Sequence, residues 1–516
     1  MRTTKSQSHP RKSAAERACR CGSVAFRSAK GLSFAERKTT LFEATVLIAF
    51  TLCLAFHSTA SAQEPDESPI TVQELQSHAA FLASDTLQGR EAGTAGGQAS
   101  AAYLADELRR LKLKPIGTEN DYRQSFGAGY QNVLGLLVGS DPLLKDEWIV
   151  LGAHFDHVGF GRPDNSQGPF GQIHNGADDN ASGVSCLLEI AEALKGGPAL
   201  RRSVAIAFWD GEEKGLLGSE HWLKTHPARP QIRFYTNLDM VGRLRDDTVE
   251  VFGGRTLPGL RTSLARSNAS HLQFKFDWAQ RDDSDHHSFY LRNIPYVMLH
   301  TGMHYDYHRP SDDIEKLNIE GIQRVAMVLA GHTTQLADDP QPLVFREACR
   351  YELSPHTPGT PLPSRLGVTW SPTRVRGETI QLSKVEPGLA ADRAGLKPGD
   401  ELLVVNGQDL REVEDFIAWV RQSPRHLEID LVRAENGAKV HMTLDLDGFA
   451  LPSGASVASD PAEPGIAVLT SVTSASFADQ SGFRTGDRIH DVQEGAGESD
   501  RRWEVERDGR LLVLPK

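Results

Sequence analysis

The sequence predicts an α/β fold: a mostly parallel, mixed sheet sandwiched by helices, followed by a small mostly-β module and a truncated repeat of it. Three observations carry that expectation. Short apolar runs rich in β-branched residues recur up to about residue 300 and stop on a histidine or an acid, as strands covered on both faces do. Apolar residues at helical spacing alternate with them. After a proline-rich stretch at 340–363 the pattern turns to short strands and glycine turns, and residues 385–405 (VEPGLAADRAGLKPGDELLVV) recur as 472–492 (VTSASFADQSGFRTGDRIHDV), at an offset of 87.

In chain order, residues 41–56 are apolar apart from Glu43, follow a basic stretch and precede Ala60-Ser61-Ala62, a small-x-small cleavage pattern. Residues 1–62 therefore read as a signal peptide with a long basic n-region, with an uncleaved N-terminal anchor as the alternative. The run is short for a membrane span, so none is expected after cleavage, and the product is expected in the periplasm or outside the cell. The segment holds ten basic and three acidic residues, a net of +7, so the remainder carries −19 where the whole chain carries −12. That balance excludes a nucleic-acid partner, which needs a basic footprint. Cys186 and Cys349 remain beyond the leader, too few for a disulfide-built fold.

Residues 70–113 read as helical with a break at Gly89-Arg90-Glu91, the second helix striped by Ala101, Leu104, Leu108 and Leu111. Residues 132–139 read as an early strand. The stretch 149–183 organises the rest: a buried strand reaches His154 and Asp156, a long polar loop follows, and Asp178-Asp179-Asn180 opens a helix striped by Val184, Leu187, Leu188, Ala191 and Leu194. Residues 203–209 form another strand, ending in Asp210-Gly211-Glu212-Glu213. Residues 234–238 end in Asp239, and 296–299 lead to a loop with Tyr307-His308. Open α/β sheets place ligands beyond the carboxyl ends of their strands, so these acids and histidines should collect there.

Five of the six residues His154, Asp179, Glu212, Glu213, Asp239 and His308 make a ligand set for two divalent ions bridged by Asp179. Mixed imidazole and carboxylate donors suit zinc, with manganese or cobalt as substitutes. Two neighbouring ions can share a hydroxide and polarise a carbonyl. The adjacent Glu212 and Glu213 can then divide two roles, one binding metal and the other taking the proton from the attacking water. Asp156 is placed to orient the His154 imidazole and Asp312 that of His308. His157, His174 and His287 are read as non-ligands.

The motifs HFDHVG, GADDNASG, FWDGEEKGLLGS, NLDMVG, SDHHSF and YHRPSDD follow in order those of the co-catalytic zinc aminopeptidases, and residues 70–336 resemble that family. Its clan-mates include glutaminyl cyclase and the zinc carboxypeptidases. The resemblance implies a zinc exopeptidase-like fold, one zinc on His154, Asp179 and Asp239, and a second on Asp179, Glu213 and His308. It further implies Glu212 as general acid/base, a cis peptide after Asp179, and a Tyr307 hydroxyl directed at the oxyanion. Asn180 departs from the family, many of whose members carry a further Asp there, and Ser284-Asp285-His286 matches a family motif without a role assigned to it.

Beyond the linker, Arg365-Leu366-Gly367-Val368 and Gly395-Leu396-Lys397-Pro398-Gly399-Asp400 resemble a PDZ domain of the bacterial protease kind. The resemblance implies that the loop at Leu366, Gly367 and Val368 offers backbone N–H groups to a peptide's terminal carboxylate, with a packed module and a vacant groove as the alternative. The second copy lacks the stretch matching the helix at 413–420 and reads as structural. The expected organisation is thus a leader (1–62), a catalytic domain (63–339), a linker (340–363), a PDZ domain (364–448) and a truncated PDZ-like repeat (464–516). The expected function is hydrolysis of N-terminal residues from peptide substrates. A single-zinc glutaminyl cyclase, a carboxypeptidase-like relative and a weakly catalytic PDZ peptide-binding protein stand as alternatives.

Overall fold

The structure, a computed structural model, describes residues 69–515 apart from 228–230, 353–361, 363, 371–378, 411, 424 and 494–499. The leader and the middle of the linker lie outside the described residues. The larger sheet has nine strands: β1 (Lys114–Pro115), β2 (Arg123–Phe126), β3 (Tyr130–Leu137), β4 (Glu147–His154), β5 (Ser203–Trp209), β6 (Gln231–Leu238), β7 (Thr248–Phe252), β8 (Gln273–Phe276) and β9 (Tyr296–His300). Their order is β1-β3-β5-β4-β6-β9-β7-β8, with β2 also paired to β3. The central strands β5, β4, β6 and β9 are mutually parallel. Antiparallel pairing enters on either side, at β3 against β5 and at β7 against β9. The sheet is therefore mixed around a parallel centre.

Alternation along the central strands shows why both faces must be covered. From β4, Ile149, Leu151 and Ala153 enter one core, while Trp148 and Val150 enter the other. From β5, Val204, Ile206 and Phe208 join the first and Ala205, Ala207 and Trp209 the second. The first core lies under α1 (Val72–Leu82), α2 (Ala95–Arg110), α3 (Gly183–Gly196) and α7 (Ile319–Asp338). Thr71, Thr94 and Asn318 cap α1, α2 and α7 by accepting a backbone N–H near each helix start. The second core takes Trp222 of α4 (Leu217–Thr225) and Phe289 of α6 (His286–Tyr290), the latter stacked on Tyr235 at 3.6 Å. Cys349 is buried in this second core, so the first part of the stretch 340–363 packs on the larger sheet's layer. No helix among the described residues is long and apolar enough to cross a membrane.

Two smaller sheets follow. One holds β10 (Val368–Trp370), β11 (Ile380–Val385), β12 (Glu401–Val405), β13 (Gln408–Asp409), β14 (His426–Val432) and β15 (Lys439–Asp445), with the helix α8 (Val413–Gln422) between β13 and β14. The other holds β16 (Ala455–Asp460), β17 (Glu463–Val472), β18 (Arg488–Gln493), β19 (Arg502–Arg507) and β20 (Arg510–Leu514). Their main strand orders, β10-β11-β12-β14-β15 and β16-β17-β18-β19-β20, correspond one to one. Strand β16 lies ahead of residue 464, where the sequence reading starts the unit, and α8 has no counterpart among the described residues of the second copy.

The second copy docks on the larger domain through α5 (Leu260–Ser267) and its surroundings. Arg261 forms a two-bonded pair with Glu506 at 2.7 and 2.9 Å, and Glu463 accepts the N–H groups of Arg261 and Thr262 at 3.0 and 3.2 Å. Arg255 joins Asp460 at 2.9 Å to Glu352 at 2.7 Å. The tip between β19 and β20 presses on β8: the Phe274 N–H donates to the Asp508 carbonyl at 2.7 Å. A side chain at Gly509 (φ +79°) would collide with the Phe274 ring.

Candidate metal centre

The parallel centre of the sheet delivers its strand ends to one place. His154 closes β4, Glu212 and Glu213 follow β5, and Asp239 follows β6. Asp179 sits in the turn that opens α3, where the backbone of Gly176 (φ +56°) leaves no room for a side chain against His157 and the Asp179 carbonyl. The peptide between Asp179 and Asn180 is cis. The two Asp179 oxygens face different neighbours: Oδ1 lies 3.4 Å from His154 Nε2, and Oδ2 lies 3.1 Å from His308 Nε2. His154 Nε2 is also 3.4 Å from Asp239 Oδ1. Glu213 Oε1 is 3.1 Å from His308 Nε2 and 2.8 Å from His157 Nδ1. Two donor groups result, His154–Asp179–Asp239 and His157–Asp179–Glu213–His308, each with its ligating atoms within 4.8 Å of one another. Buried imidazole and carboxylate donors that converge this closely fit divalent zinc. The five residues named from the sequence are thus brought together, and His157 with them.

The supporting contacts depart from expectation in two places. His154 Nδ1 meets the backbone carbonyl of Asp156 at 3.2 Å, while the Asp156 carboxylate lies 3.9 Å away and accepts the Glu212 N–H at 3.0 Å. Asp156 therefore orients the imidazole with its main chain, and its side chain holds the Glu212 backbone. Asp312 does not meet His308, whose Nδ1 pairs with the Asn165 carbonyl at 2.9 Å. Asp312 instead accepts the N–H groups of Asp178 and Asp179 at 2.9 and 3.1 Å and so fixes the turn of the shared carboxylate. Tyr307 stacks on His308 at 4.0 Å and lines the same cleft.

Two partners escaped the sequence reading. Ser284 donates to Asp239 Oδ2 at 2.6 Å and accepts from Asn237 at 2.8 Å, which gives the SDH motif a place beside the metal centre. Arg90 is wholly buried and donates to the carbonyls of Phe155, Leu82, Asn175 and Gly176 at 2.5 to 3.0 Å. Those carbonyls belong to the loops that carry His154 and Asp179, so one guanidinium ties α1 to both. Burial pulls Arg90 down to about 10, against the pull of Asp179 and Asp156, and it stays charged at neutral pH. The Arg90 signal was the helix break itself, which no periodicity turns into a role.

Burial, followed by the nearby Glu213 carboxylate, pushes the Glu212 carboxyl well above its ordinary range. Burial and Asp179 push Glu213 the same way, but His157 and His308 hold it below its ordinary value. Burial opposes charge on Asp179 too, yet hydrogen bonding to His154 and the neighbouring His157 and His308 keep its carboxyl well below the usual range. Adjacent glutamates thus differ: the surroundings favour the protonated form of Glu212 and the charged form of Glu213. His154, Asp179, Glu212, Glu213 and His308 border a cleft of about 330 Å³ that Met240, Phe252, Met298, Met303 and Arg281 also line.

A comparison with known families adds a decisive match. The model described as peptidase family M28 matches residues 132–333, which contain both donor groups and Glu212. A PDZ-domain model matches 381–433. Aminopeptidase YwaD of Bacillus subtilis is 28% identical to this chain over 239 residues, 43% of this chain and 49% of that protein. A probable leucine aminopeptidase 2 of Aspergillus fumigatus is 32% identical over 179 residues, 32% of each. The chain therefore spans half or less of the length of these curated relatives. A solved zinc aminopeptidase from Bacillus subtilis aligns at 18% identity with a TM-score of 0.42, covering 54% of this chain and 98% of that one.

Proposed function

We propose that the M28 region is a two-zinc exopeptidase that removes N-terminal residues from peptides. The observation that carries this reading is the shared Asp179, whose two oxygens face two separate donor groups beside the protonatable Glu212. Two ions held there supply Lewis-acid polarisation of the scissile carbonyl and a lowered pKa for water. His154 and Asp239 hold one ion, Glu213 and His308 the other, and Asp179 holds both. Glu212 accepts the proton of the attacking water and returns it to the leaving amine. Tyr307 donates its hydroxyl to the developing oxyanion. The names of the curated relatives, aminopeptidase and probable leucine aminopeptidase, support the N-terminal preference.

The reading extends to the rest of the chain. Residues 1–62 act as an export signal, supported by their basic start, apolar run and cleavage pattern. The first PDZ unit takes peptide C-termini along β10, supported by a cavity of about 690 Å³ that Leu366, Val368, Trp370, Phe416 and Val420 line together with Val457, Ile466 and Ala467 of the second copy. Its Gly367 N–H is held by Ser364 Oγ at 2.8 Å.

Purified protein is expected to hold two zinc equivalents and to hydrolyse aminoacyl-amides but not their N-acetylated forms. Cleavage of N-acetylated peptides at the same rate would reject the N-terminal preference. One equivalent of zinc, with pyroglutamate as the product from glutaminyl peptides, would favour the cyclase reading.

A further inference from the structure

The two donor groups are unequal, and the inequality rests on His157. This argument builds on the two-zinc reading above. His157 is 1% exposed, on the loop just past β4, with its backbone N–H donating to the Arg90 carbonyl at 3.3 Å. Its Nδ1 lies 2.8 Å from Glu213 Oε1 and 3.7 Å from Asp179 Oδ2. His308 Nε2 lies 3.1 Å from each of the same two oxygens. Both imidazoles therefore address one pair of carboxylate atoms, with ring centroids 5.3 Å apart and planes nearly perpendicular at 84°.

Zinc bonds to nitrogen and oxygen are about 2.0–2.1 Å, so the donors of a tetrahedral site sit roughly 3.3–3.4 Å apart. The four separations here, 2.8, 3.1, 3.1 and 3.7 Å, bracket that edge. The second group has three donors, with separations of 3.4 and 3.4 Å from His154, and Glu212 Oε2 only 4.0 Å from His154 Nδ1. We propose that His157 is a fourth protein ligand of the Asp179–Glu213–His308 position. Four protein donors would then meet the ion at that position and three the ion at His154–Asp179–Asp239.

The competing account makes His157 a hydrogen-bond donor to Glu213 and nothing more. A buried His157 Nε2 without a partner accompanies either account, because that atom is either a bare acceptor or an unbonded N–H. The contact with Asp179 separates them. A donor serving Glu213 alone has no reason to lie over the edge shared with Asp179, in the manner of His308.

Zinc-edge X-ray absorption on protein loaded with two zinc equivalents counts the imidazoles. Three shared by two metals, from His154, His157 and His308, is the expected result, falling to two in His157→Gln. Chelator competition should show one of the two affinities in that variant lowered by more than about 100-fold, beyond the 10–100-fold that loss of an outer partner produces. Two imidazoles at two zincs in the wild type overturns the proposal and leaves the two-zinc reading standing. A wild type that binds one zinc overturns the two-zinc reading itself. The wild-type count does not depend on whether the variant folds.

Discussion

Glu212 and Glu213 are neighbours in the chain with opposite surroundings. Both are buried, but Glu213 meets the imidazoles of His157 and His308, whereas Glu212 faces the carboxylates of Glu213, Asp285 and Asp239 with the His154 ring opposing them from 4.0 Å. Glu212→Gln should therefore keep both metals and lower kcat by at least about 100-fold, because it removes proton transfer and little else. Metal analysis beside a turnover assay checks this, and near wild-type turnover would reassign the base. The five candidate ligands were legible in the sequence because four of them follow a strand or open a helix, and a parallel sheet gathers those ends; His308 lies in the loop after β9. The orienting contacts were not legible. Which carboxylate meets which imidazole is decided by loops such as the one carrying Asn165, whose carbonyl displaces Asp312 as the partner of His308.

At the scale of elements, α7 shows what burial on several sides does to a polar residue. Ile322, Val325, Ala326, Val328, Leu329 and Leu336 are all buried, and so is His332, edge-on to Phe234 at 5.8 Å with neither ring nitrogen hydrogen-bonded. Burial alone pulls His332 down to about 3. The folded state thus resists a proton that the unfolded chain takes up near pH 6.5, so stability is lost as pH falls through that value towards 3. Between pH 7 and pH 5 the loss is about 2 kcal/mol. His332→Leu should abolish this component, and urea unfolding of both proteins at the two pH values measures it. Parallel shifts for wild type and variant would show that His332 does not titrate on unfolding. The sequence reading passed over α7 although its buried residues recur at helical spacing along one face, the same signal that marked α3 and α8.

For the whole molecule, the repeat at an offset of 87 was visible in the sequence, but its use was not. The copy that lacks a helix is the one that holds the assembly together, with Arg255, Arg261 and Thr262 on one side and Arg501 bonded to the Gln422 carbonyl of α8 on the other. These contacts join residues far apart in sequence, beyond the reach of any local pattern. Removing residues 364–516 would strip a docked surface as well as the proposed peptide groove, so capture of peptide tails is better tested on the substrate. If the first PDZ unit captures peptide tails, amidating the C-terminus of a long apolar peptide should raise its KM and leave kcat unchanged. Equal KM values for free and amidated peptides would end the tail-capture proposal. The capping of β8 by the β19–β20 tip also bears on synthesis. Strand β8 is the outermost strand on its side of the sheet, and Asp508 and Gly509, which cover it, are made 232 residues after Phe276. At about 5–20 residues per second the ribosome needs roughly 10–50 s to reach them. Throughout that interval the nascent chain carries an open strand edge, the form in which chains pair with one another, so the last hairpin serves the newborn protein as a shield before it serves the finished one as a joint.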